Sequence, residues 1–188
     1  MKTNIIFAGV GGQGLVLTSR IVVEATHNAG LPVSGSDVYG LAQRGGSVWG
    51  MVRINNEFFS PQVPKGEADI LMALEQLEGL RWLEHMKPGG LAIVNNNRVH
   101  PTPVLLEQEE YPQDVIGTMK GRDLQVIPVD GPGVARKLGN IRLANTVLLG
   151  TLSRHLPMSP RHWLEAIAAH VPPKTVELNQ KAFELGRE

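Results

Sequence analysis

Two stretches of this 188-residue chain carry the residue types from which a binding site is built. The first is Gly9-Val10-Gly11-Gly12-Gln13-Gly14, a G-x-G-x-x-G run. Glycines at this spacing admit positive φ and let a ligand approach the main chain, and a helix opening at Gly14 would present unsatisfied N–H groups to a phosphate or carboxylate. Gly9, Gly11, Gly12, Gln13 and Gly14 are therefore candidate binding residues. The second stretch runs from Asp37-Val38-Tyr39-Gly40 to Gln43-Arg44-Gly45-Gly46-Ser47. It places a carboxylate, a phenol, an amide, a guanidinium and a hydroxyl in a glycine-rich loop, so Asp37, Tyr39, Gln43, Arg44, Gly45, Gly46 and Ser47 join the candidates. Arg44 has the fork geometry that grips a carboxylate or phosphate, and an exposed arginine beside a glycine turn equally suits solvent or an interface. A nicotinamide dinucleotide requires an acid about 20 residues past the glycines. Asp37 lies 23 after Gly14, a loose match. Three readings stay open from these residues: an NAD(P)-binding oxidoreductase acting alone, a non-enzymatic regulatory or scaffolding module that binds an anionic metabolite at the glycine turn, and a purely structural turn.

Other chemistries are excluded or unsupported. The chain has no cysteine, which rules out disulfides, a thiol nucleophile, cysteine-ligated zinc and a cysteine-held iron–sulfur cluster within it. The six histidines are scattered without metal-ligand spacing, and no Ser/His/Asp set can be assembled. Lys+Arg and Asp+Glu are 18 each, a balance unlike a nucleic-acid or anionic-membrane footprint. Zero net charge also weakens self-repulsion and mildly favours life in a complex, a homo-oligomer included. The apolar run Ile5 to Val10 is shorter than a signal peptide's core, and no stretch approaches a membrane span, so the expected location is the cytoplasm.

The elements that must hold these residues read as a single α/β domain over 1–188. Ile5-Ile6-Phe7-Ala8 is wholly apolar, as in a parallel strand covered on both faces, and it runs into the glycine cluster. The apolar residues from Leu15 to Ala29 wrap more than half of a helix that Gly30 and Pro32 terminate. Strand, glycine turn and helix open a βαβ unit. Pro32 to Asp37 is a second short strand. Ser47 to Ile54 alternates, and Asn55–Asn56 fits a two-residue turn into Glu57 to Ser60, predicting a β-hairpin insertion near residues 47–60. Ala68 to Leu74 is a buried strand, Glu75 to Met86 a helix, Lys87-Pro88-Gly89-Gly90 its stop, and Leu91 to Val94 a strand. Residues 97–123 show no clear periodicity and read as an irregular excursion. Helices follow near 134–138, over 140–156, after the Ser159-Pro160 start, and after Pro172-Pro173. The predicted architecture is three-layered and Rossmann-like, with a mostly parallel sheet and a helical C-terminal segment.

Taken in order, Gly9 to Gly14, Ser36 to Val48 with Gln43-Arg44-Gly45-Gly46-Ser47 at its centre, Val52-Arg53-Ile54, and Glu67-Ala68-Asp69-Ile70-Leu71 resemble the gamma-type unit of 2-oxoacid:ferredoxin oxidoreductases, and most closely those acting on indolepyruvate. The likeness continues through Leu74-Glu75 and Lys87-Pro88-Gly89-Gly90 to Asn95, and more faintly to Asn145 and Gly150. The resemblance implies a partner-dependent enzyme that decarboxylates an aryl pyruvate oxidatively, passes electrons to ferredoxin and forms an acyl-CoA. Thiamine diphosphate is the electron sink of that chemistry. This chain lacks the Gly-Asp-Gly stretch with a downstream Asn that marks a thiamine diphosphate–magnesium motif, and it lacks every cluster cysteine. The resemblance therefore implies a large partner subunit holding thiamine diphosphate, magnesium and iron–sulfur clusters, with this chain completing the assembly, excluding water and guiding CoA. The glycine turn and Arg44 suit the phosphates of CoA. No catalytic acid, base or nucleophile is assigned.

Overall fold

The protein is described by a computed structural model covering residues 2–188 apart from 39–44, 56–59 and 109. Strands are β1 (Thr3–Val10), β2 (Val33–Val38), β3 (Ser47–Ile54), β4 (Ala68–Ala73), β5 (Met86–Asn95) and β6 (Leu124–Val129). Helices are α1 (Leu15–Asn28), α2 (Gln76–Arg81), α3 (Thr102–Leu105), α4 (Val115–Lys120), α5 (Gly131–Lys137), α6 (Ala144–Ser153), α7 (Pro160–His170) and α8 (Val176–Arg187), with 3₁₀ turns at Leu83–His85, Ile141–Leu143 and Pro173–Thr175.

The strands form one sheet in the order β2-β3-β1-β4-β5-β6. β1, β4, β5 and β6 are mutually parallel, and β3 runs antiparallel to both of its neighbours. β1 lies inside the sheet with helices on both faces, which is why its sequence is an unbroken apolar run. Ile5 and Phe7 face a core formed with α1, α6, α7 and α8, where Trp163 and Phe183 stack with ring centroids 5.9 Å apart. Ile6 and Ala8 face a second core, closed by Val115 and Met119 of α4. α6 is buried from Thr146 to Ser153, and its buried hydroxyls at Thr146, Thr151 and Ser153 donate to Asn179 Oδ1 and the Gly186 and Gly150 carbonyls.

Three expectations change in detail. The predicted hairpin arm at Glu57 to Phe59 lies outside the described residues, and the antiparallel partners shown for 47–54 are β2 and β1. β3 has a place inside the sheet because both its sides are apolar: Val48 and Val52 pack into one core, Trp49 and Met51 into the other. The helix predicted over Glu75 to Met86 ends at Arg81, and Lys87-Pro88-Gly89-Gly90 belongs to β5 as an irregularity. The register shifts between Ala68 and Ile70 there, Gly89 has φ 71°, and a Cβ on Gly90 would stand 2.9 Å from the Lys87 carbonyl. Finally, the irregular excursion contains α3 and α4. Asp114 caps α4 by accepting from the Gly117 N–H at 2.7 Å.

Candidate functional site

β1 delivers the glycine run to the carboxyl edge of the sheet, where α1 begins. Gly12 (φ 97°) and Gly14 (φ 80°) adopt the left-handed conformation that glycine alone enters freely. Gly14 is the N-cap of α1, and no side chain caps that helix. Its first-turn N–H groups thus lack both intrahelical partners and a cap. Gln13 has a different place from the one its motif position predicts. Its Oε1 accepts from the Val10 N–H at 2.7 Å and its Nε2 reaches the Leu74 carbonyl at 3.4 Å, so the amide fills the notch between β1 and β4. A Cβ on Gly9 would come within 2.9 Å of that Oε1, which accounts for the first glycine by packing. Gly11 is also committed internally. It donates to the Gly46 carbonyl at 2.7 Å and accepts from the Gly45 N–H at 3.2 Å, and Gly45 in turn accepts from the Thr102 N–H at 2.8 Å. The two glycine stretches are thereby stitched together by main chain. Asn145 at the start of α6 completes the turn, donating to the Gln13 carbonyl at 2.7 Å and standing 3.3 Å from Thr18 Oγ1.

Around this turn lies a cleft of about 550 Å³. Its wall includes Gly12, Gln13 and Gly14, Thr18 of α1, Asn95 and Asn97 past β5, and Arg142 and Asn145 from the approach to α6. Leu17 and Ile141, also on the wall, are 41% and 52% exposed. Among the described residues of the wall, Arg142 is the ionisable one. Asn95 is nearly fully buried. Its Nδ2 donates to the Leu74 carbonyl at 3.2 Å while its Oδ1 has no protein partner. The arrangement can bind an anion through helix amides and Arg142 and can hydrogen-bond neutral groups through amide side chains. The described residues of the wall offer no carboxylate, imidazole, amine or thiol to move a proton or attack a carbonyl, and the hydroxyls of Thr18 and Thr146 are engaged by the Gly14 carbonyl and Asn179 Oδ1. No group of three His, Cys, Asp or Glu residues that could hold a metal occurs among the described residues.

The other candidates divide. Ser47 opens β3 opposite Val10, and its hydroxyl is committed to Glu78 Oε2 at 2.5 Å. Glu78 is fully buried and also accepts from Arg81 at 2.6 Å. The Asp37 backbone lies on β2 opposite Gly50, with β3 between it and β1. A dinucleotide-binding fold needs the ribose-reading acid on the strand next to the glycine turn. β3 occupies that place here, and the geometry gives no support to an NAD-like ligand. Tyr39, Gln43 and Arg44 lie outside the described residues. Thr18, Asn97 and Arg142 carried no sequence signal of function, and Asn95 and Asn145 entered only through the family resemblance, without a role.

The family model for pyruvate ferredoxin/flavodoxin oxidoreductase matches residues 4–188. The chain belongs to that family. Among its pyruvate ferredoxin/flavodoxin oxidoreductase relatives is "Indolepyruvate oxidoreductase subunit IorB" of Archaeoglobus fulgidus, 37% identical over 190 residues, covering 99% of this chain and 94% of that protein. The protein of the same name from Thermococcus kodakarensis is 36% identical over 188 residues, covering 97% and 93%. The crystal structure of the gamma subunit of keto/oxoacid ferredoxin oxidoreductase from Geobacter sulfurreducens PCA superposes with a TM-score of 0.72 at 28% identity, covering 98% of this chain and 95% of that one. The resemblance read from Gly9 to Gly14 and Gln43 to Ser47 is borne out at the level of family and fold.

Proposed function

We propose that this chain, acting as one domain over 1–188, is the non-cofactor subunit of a cytoplasmic indolepyruvate-type ferredoxin oxidoreductase, and that its cleft holds part of CoA during oxidative decarboxylation of an aryl pyruvate. The large partner subunit holds thiamine diphosphate, magnesium and the iron–sulfur clusters and passes electrons to ferredoxin. The residues of this chain do not fit those groups, since it has no cysteine and its described residues offer no metal-binding cluster. The observation that carries the reading is the character of the cleft: helix amides, Arg142 and neutral amides, with no carboxylate, imidazole, amine or thiol among the described residues of its wall. A phosphate seats at the start of α1, beside Gly12 and Gly14, and the amide side chains suit a neutral, amide-bearing arm. The relatives named as indolepyruvate oxidoreductase subunits support the substrate class.

Copurification of the chain with its partner tests this reading, followed by assay with indolepyruvate, CoA and a viologen acceptor. The expected result is a brown, thiamine-containing complex whose activity needs both subunits. Gly12→Ala and Arg44→Ala in that complex raise the KM for CoA, Gly12→Ala because a Cβ at φ 97° strains the turn. Turnover by the isolated chain, or a KM for CoA untouched by both substitutions, overturns the assignment.

A further inference from the structure

Two carboxylates that the proposed reaction does not use are fully buried: Glu75, the N-cap of α2, and Glu78 within that helix. Glu75 is an unusual N-cap, because serine, threonine, aspartate and asparagine are the residues that ordinarily serve there. Its Oε2 accepts from the Glu78 N–H at 2.9 Å, which is the capping contact. Its Oε1 accepts from the Tyr111 hydroxyl at 2.6 Å. A carboxylate taken out of water is costly unless its oxygens are engaged, and a hydrogen bond to an ionised acceptor is about twice as strong as a neutral one. The longer glutamate therefore does what a short capping residue cannot: it reaches a residue of the excursion that follows β5.

Tyr111 is the point at which that excursion is gathered. The Arg98 guanidinium lies 5.3 Å from the Tyr111 ring centroid and donates to the Gln113 carbonyl at 2.5 Å, and the His100 ring lies 5.2 Å from Tyr111 on centroids. The segment so drawn in serves the cleft twice. Asn97 and Val99 form part of its wall, and the Thr102 N–H holds Gly45, whose neighbour Gly46 accepts from Gly11 of the glycine turn. We propose that Tyr111 is a positioning residue for the cleft: its hydroxyl, held by buried Glu75, fixes residues 97–108 so that Asn97 and Val99 complete the wall and Thr102 keeps Gly45–Gly46 against the glycine turn. The ligand half of this inference rests on the reading that the cleft takes CoA. Burial and the neighbouring carboxylate also keep the phenol protonated, consistent with a hydroxyl that donates to Glu75.

The test removes the hydroxyl alone. In the assembled complex, Tyr111→Phe raises the KM for CoA about tenfold or more, the factor for losing one hydrogen bond to a charged acceptor, and leaves kcat at saturating CoA within about twofold. Hydrogen exchange in the full chain speeds up over 97–108 and 45–47 and stays unchanged in α6 and α8. Ile167→Val, a cavity in the opposite core, lowers thermal stability without moving either readout. Lower stability in Tyr111→Phe with unchanged exchange over 97–108 overturns the clasp whatever the kinetics. If Gly12→Ala raises the KM for CoA and Tyr111→Phe does not, the positioning role fails while the CoA reading stands. If none of Tyr111→Phe, Gly12→Ala and Arg44→Ala changes it, the CoA reading fails, and exchange over 97–108 alone decides whether Tyr111 orders the segment.

Discussion

At Tyr111 the protonated phenol is favoured by burial first and then by the Glu75 hydrogen bond and charge, which together push its pKa well above the ordinary tyrosine range. A group that gives up its proton more easily unfolded than folded adds stability that is complete below its unfolded pKa and is lost as the pH rises beyond it. The loss of stability between about pH 9 and 11 is thus expected to be shallower in Tyr111→Phe than in the parent. Denaturant melts at stepped pH measure this, and parallel slopes count against it. Residues of this kind are also where the sequence is least legible. The glycines of the turn announce themselves, since positive φ at Gly12 and Gly14 is a local demand. Asn145 and Arg142 do not, because their importance lies in facing a turn that is distant along the chain. Gln13 was legible as part of a motif and misleading as to direction, for nothing local tells whether an amide faces a ligand or folds back onto Val10 and Leu74.

Among the elements, α6 and α8 cross so closely that only glycine fits at the contact. A Cβ on Gly150 would stand 2.2 Å from the Phe183 carbonyl oxygen, and one on Gly186 would stand 2.0 Å from the Val147 carbonyl oxygen. Both obstacles are main chain and cannot swing aside. Gly150→Ala and Gly186→Ala are each expected to destabilise by about 3 kcal/mol or more, read from urea unfolding. The double variant should cost less than the sum, because one separation of the helices relieves both clashes. Elements with a strong local signature were legible: β1 from its apolar run ending in glycines, and α7 from Ser159-Pro160. The edges of β5 were not, because Lys-Pro-Gly-Gly ordinarily stops an element, and only pairing of Met86 with Ala68 shows the strand already under way. The position of β3 was hidden for a similar reason. Alternation shows that a segment is a strand and says nothing of which neighbours it enters between.

For the molecule as a whole, one sheet separates two apolar cores, and β1 contributes alternate side chains to each. Loss of either core exposes the other through that shared strand, so the two should unfold together. Trp163 reports on one core, and Trp49 and Trp82, 5.4 Å apart on ring centroids, report on the other. Fluorescence of Trp163→Phe and of the Trp49→Phe/Trp82→Phe double variant, each scaled against its own circular dichroism transition, should trace coincident unfolding. Separated midpoints would show two independently melting layers. The hydrogen bond from Asn145 to the Gln13 carbonyl joins positions 132 residues apart. On a ribosome the chain emerges from its amino end, so the glycine turn acquires its finished shape only after the 132 residues up to Asn145 have followed it out. The braced turn is consequently a late event in biosynthesis, and a nascent chain halted before α6 would carry the complete glycine motif without the contact that shapes it.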